Sequence, residues 1–67
     1  MKSLMKIPNM KTSQDINRIK QAIATNEGII ACEINKEKGE VNVVYDDFLI
    51  DLDKIIESIE DFGYTVI

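Results

Sequence analysis

The residue pattern predicts an α+β domain in which a four-stranded antiparallel sheet is covered on one face by two helices. Three observations carry this. Short runs near residues 3–7, 29–34 and 40–46 alternate apolar and polar side chains, as half-buried strands do. Two longer stretches, about 13–25 and 52–62, instead repeat apolar residues at spacings of three and four, the period of an amphipathic helix. Breakers at Pro8-Asn9, Gly28, Gly39 and Gly63 separate these runs.

Each element has its own warrant. In Ser3–Ile7, Met5 and Ile7 point inward if the alternation holds, which leaves Lys6 in water. In the first helix Ile16, Ile19, Ala22 and Ile23 share a face, Thr12 or Ser13 can cap the start, and Asn26-Glu27-Gly28 ends it. The second strand, Ile29–Ile34, is expected to turn Ile30, Cys32 and Ile34 to one side and Ala31 and Glu33 to the other. The polar loop Asn35–Gly39 then makes a hairpin with Glu40–Asp46, where Val41, Val43 and Tyr45 alternate with Asn42 and Val44. Asp51 is a good N-cap for the second helix, and Ile50 and Ile55 fit a hydrophobic staple around it. Leu52, Ile55, Ile56, Ile59 and Phe62 form its apolar stripe, and Gly63 stops it. Tyr64–Ile67 is just long enough for a fourth strand. The order β-α-β-β-α-β with right-handed crossovers is the ferredoxin-like architecture, in one domain spanning 1–67.

Composition narrows the chemistry. One cysteine and no histidine exclude a disulfide framework and the usual single-chain zinc sites. No stretch approaches the ~20 apolar residues of a membrane span. The N-terminal apolar residues are broken up by lysines and Pro8, unlike a secretion signal, so the chain reads as cytosolic, without membrane insertion. Net charge is −4, which argues against nucleic-acid binding. The charge is uneven: residues 1–26 carry +4 and residues 27–67 carry −8, so a basic and an acidic surface are expected. RNA recognition on this topology needs paired aromatics on the open sheet face, and the third strand offers only Tyr45, in phase with the core valines. For an acylphosphatase-like enzyme, Lys11, Thr12 and Ser13 could meet an anion at a helix N-terminus. Asp15 would repel it, and no nucleophile or general base stands nearby, so no enzyme is expected.

Met10, Ile19, Ala22, Ile23, Gly28 and Ile29 fall in one register that holds without a gap to Gly39, and Lys38-Gly39, Val41, Val43, Tyr45-Asp46, Ile55, Ile59 and Gly63-Tyr64 continue the pattern. On these residues the whole chain resembles the heavy-metal-associated domain family, the bacterial copper chaperones and the N-terminal domains of metal-exporting P-type ATPases. The family pattern opens with Gly-Met-x-Cys-x-x-Cys. Here Thr12 and Asp15 occupy its two cysteine positions, Asn9 its glycine, and Asn26 a frequent leucine. The resemblance implies a Cu(I) cargo, but Cu(I) is soft and prefers two or three thiolates. The degenerate loop of Met10, Thr12 and Asp15 is therefore expected to hold no metal, and no cofactor is expected. Cys32, the lone thiol, reads as a small core residue. Tyr64 matches an aromatic placed beside the family's metal loop; packing under that loop and a plain surface position remain open.

What the resemblance implies is an accessory or docking protein in metal homeostasis. Its partner would be a metal-transporting P-type ATPase domain or a Cys-x-x-Cys chaperone, met through Met10, Lys11, Arg18, Lys20 and Tyr64. Two alternatives stand beside it. One is a non-standard metal site, for instance Asp15 with loop carbonyls around a harder ion, for which one visible carboxylate is few. The other is a divergent domain with no metal role.

Overall fold

The computed structural model describes residues 1–67. In chain order the elements are β1 (Lys2–Lys6), α1 (Ser13–Ala24), β2 (Ile29–Asn35), β3 (Glu40–Tyr45) and α2 (Leu52–Asp61). The strands form one antiparallel sheet in the order β1-β3-β2, with Lys2 opposite Val44 and Lys6 opposite Glu40.

The capping chemistry is where the sequence places it. Thr12 caps α1 through a reciprocal box: its hydroxyl accepts from the Asp15 amide, and the Asp15 carboxylate accepts from the Thr12 amide. Asp51 caps α2 by accepting from the Lys54 amide, with Ile50 and Ile55 buried on either side of the turn. Both helices lie on one face of the sheet. Ile19, Ala22 and Ile23 of α1 and Ile55 and Ile59 of α2 close over Met5, Val41, Val43 and Tyr45, with Ile7, Met10 and Tyr64 completing the core. Cys32 is half-buried at its margin.

Two expectations are corrected. Tyr64–Ile67 is not a strand, so the sheet has three strands rather than four. The Ile67 amide does donate to the Lys6 carbonyl, but the Thr65 amide is taken by the Asn9 side chain, and a single ladder bond does not make a strand. Ile30 does not face the core. The β2 register slips between Ile29 and Ala31, so Ile30 is the extra residue of a bulge and is 67% exposed, while Ile29 takes the inward place opposite Tyr45.

Gly28, which turns α1 into β2, has φ +88°. A Cβ there would lie 2.9 Å from the Leu49 Cβ and 3.1 Å from the Ile50 Cγ2, so both the backbone and the space require glycine.

Candidate functional site

The loop between β1 and α1 lies at the end of the sheet where β1 finishes and β3 begins, because Lys6 pairs with Glu40. It is held from below by Met10, which is 2% exposed and packs in the core. Met10 therefore supports the loop instead of presenting its thioether. Thr12 is exposed and Asp15 half-exposed at the first turn of α1.

Asp15 is the hub of this region. One carboxylate oxygen, Oδ2, accepts from the amides of Lys11 and Thr12, each at 3.0 Å, and the other, Oδ1, accepts from the Tyr64 hydroxyl at 2.6 Å. The Tyr64 bond, followed by the two amides, holds the Asp15 carboxyl well below the usual carboxylate range. The same contact pushes the Tyr64 phenol up, since ionising it would strip the donor and set two anions side by side. Asn9 makes a second tie. Its carbonyl accepts from the Thr65 amide at 3.1 Å, and its amide group donates to the Gly63 carbonyl at 3.4 Å. Asn9 and Asp15 thus clamp the C-terminal tail onto the loop. The Arg18 guanidinium sits 5.9 Å from the Tyr64 ring centroid, at the outer limit of a cation–π contact.

Of the residues expected at a docking face, Lys11, Arg18 and Lys20 are exposed, whereas Met10 and Tyr64 are buried. Tyr64 lies under the loop, so it is not a surface tyrosine. The structure also brings together what the charge partition along the chain concealed. Lys36 and Lys38 of the β2–β3 turn share a cleft with Pro8, Met10 and Lys11, which adds two cations beside the loop, with Glu37 between them. That proximity follows from the β1–β3 pairing and could have been read from the predicted hairpin. Cys32 sits in mid-strand opposite Val43, and burial pushes its thiol up despite nearby Lys20. No three histidine, cysteine, aspartate or glutamate side chains are grouped to hold a metal ion. The fourth departure from the family pattern, Asn26, donates to the Ala22 and Ile23 carbonyls at the end of α1 and accepts from the Ser58 hydroxyl of α2.

Comparison with known proteins places this geometry. The family model for the heavy-metal-associated domain matches residues 4–65. The copper chaperone CopZ of Staphylococcus aureus is 28% identical over 64 residues, covering 96% of this chain and 94% of that protein. A solved CopZ metallochaperone superposes with a TM-score of 0.95 at 25% identity, over 100% of both chains. Oxidized MerP from Ralstonia metallidurans CH34, at 24% identity, shares the fold with a TM-score of 0.94 over 100% of this chain and 93% of its own. With fold, register and family model in agreement from β1 to the tail, the chain belongs to the heavy-metal-associated domain family.

Proposed function

We propose that this chain is a non-enzymatic docking member of its family, one whose metal loop has become a structural lock. The observation that carries this is the clamp. Three positions at which the chain departs from the family's loop, Asn9, Thr12 and Asp15, are all engaged in hydrogen bonds that fix the loop to the helix or the tail. The donor set does not fit the family's Cu(I) cargo. A threonine hydroxyl and a carboxylate committed to three donors are hard oxygen groups, the Met10 sulfur is buried, and the only thiol lies in mid-strand. No nucleophile with an adjacent base is present to suggest catalysis.

What remains available is charge. Lys11, Arg18 and Lys20 are exposed on the loop and α1, Arg18 beside Tyr64 and Lys20 on the side of α1 toward Cys32, with Lys36 and Lys38 across the cleft from Lys11. This surface suits an acidic face on a metal-transporting P-type ATPase domain or on a Cys-x-x-Cys chaperone. Chemical-shift mapping of the labelled chain against such a domain tests it. Perturbations should centre on residues 10–20 and 36–38; perturbations confined to α2 would assign the contact to the opposite charge pole and end this reading.

A further inference from the structure

The end of the molecule away from the metal loop carries a second surface. β1 runs from Lys2 opposite Val44 to Lys6 opposite Glu40, so the segment after β3 lies at the start of β1, a full strand length from the loop. Here Phe48 is 96% exposed, Leu49 63% and Ile30 67%. The backbone brings them to one corner: the Asp46 amide donates to the Gly28 carbonyl, and Leu49 lies directly over Gly28. The turn is held in shape, because the Asp46 side chain accepts from the Phe48 amide and its carbonyl accepts from the Leu49 and Ile50 amides. Loop position alone does not account for Phe48 and Leu49, which lie between β3 and α2, since the β2–β3 turn, Lys36–Gly39, contains no apolar side chain. Nor does folding, as Phe48 buries almost nothing.

The rim of this corner selects the occupant. Segments 24–33 and 45–53 contain no basic residue, while Glu27, Asp46, Asp47, Asp51 and Asp53 flank the apolar three, against the single cation Lys54 in the first turn of α2. The only cations that β1 brings to this end are the Met1 amino group, bonded to the Tyr45 carbonyl, and Lys2. An apolar centre inside an acidic rim suits an apolar anchor flanked by lysine or arginine and repels an anionic membrane. We propose that Ile30, Phe48 and Leu49 form a second docking site, independent of the loop, for a protein segment of basic amphipathic character.

The test titrates the labelled full chain with a short helical peptide of leucine and lysine. Shifts should centre on residues 28–30 and 46–50, affinity should fall as salt rises from about 0.05 M to about 0.3 M, and Phe48→Ser should weaken binding about tenfold. That variant keeps every charge, so it separates docking from general attraction between opposite charges. Several results would overturn the proposal: no shifts at millimolar peptide, equal binding by Phe48→Ser, or equal binding of a leucine–glutamate peptide. The same holds if phosphatidylglycerol vesicles perturb these residues where the peptide does not. Concentration-dependent self-association abolished by Phe48→Ser would also overturn it, by making the patch a contact between copies.

Discussion

Asp15 ties the loop, the start of α1 and the C-terminal tail together through one carboxylate. At a position the family gives to a thiolate, this carboxylate caps a helix, closes a reciprocal box with Thr12 and receives the Tyr64 hydroxyl from 49 residues away. Its folded pKa is lowered, so the stability it contributes is present in full above the unfolded value of ~3.9. That contribution is lost progressively as pH falls toward the folded value. The difference in denaturation midpoint between the unmodified chain and Asp15→Asn should therefore be largest near neutrality and shrink below about pH 4. A difference that is the same at pH 7 and at strongly acid pH would mean the carboxylate is not held as described. Tyr64→Phe removes the largest cause of the shift, so the Asp15 carboxyl, followed by NMR, should titrate higher in that variant. Some of this hub was legible in advance. Thr12-x-x-Asp15 before an apolar stripe is a capping-box pattern, and Thr12 or Ser13 was the expected cap. The place of Tyr64 beside the loop was legible only through the family resemblance, and its bond to Asp15 was not, because nothing local in either segment specifies a contact across the length of the chain.

At the scale of elements, periodicity was a good guide wherever packing obeyed it. The stripe of α2 and the inward valines of β3 lie as their spacing requires, and Ile59 is completely buried. Ile59→Ala should cost about 2–5 kcal/mol, read from the shift of a urea midpoint at unchanged slope; a surface-like cost would put Ile59 outside the core. Gly28→Ala should cost about 1–3 kcal/mol, since it adds strain at positive φ and a Cβ against Leu49 and Ile50. Alternation failed at Ile30, because a bulge inserts one residue and a period-two pattern cannot mark where that happens. It failed again at the C-terminus. Residues 64–67 have β-type side chains, but Asn9 takes the Thr65 amide that a ladder would need. Amide exchange should accordingly be faster in the tail than in β3, with the Thr65 amide released by Asn9→Ala, which a Thr65 amide paired in a strand ladder would not be.

The whole molecule is a short chain with two chemically distinct ends, 32 Å along its longest axis. The basic residues near the loop and the acidic rim around Phe48 were legible only as a charge imbalance between the two parts of the sequence. Folding moved Lys36 and Lys38 to the basic end by pairing β1 with β3. If the basic side meets an acidic partner, Arg18→Glu or Lys20→Glu should slow association far more than it speeds dissociation. The effect should fade as salt screens exposed charges beyond about 8–10 Å at 0.1–0.15 M. Equal rates for these variants and the unmodified chain would remove α1 from the interface. The proposal that the loop is a lock and not a cargo site is tested most directly by titrating Cu(I) against a competing chelator. The unmodified chain should show no 1:1 binding tighter than about micromolar, and Thr12→Cys combined with Asp15→Cys should restore tight binding, because two thiolates then face one ion. Tight 1:1 binding by the unmodified chain, abolished by Cys32→Ser, would contradict the lock and make the lone thiol a ligand.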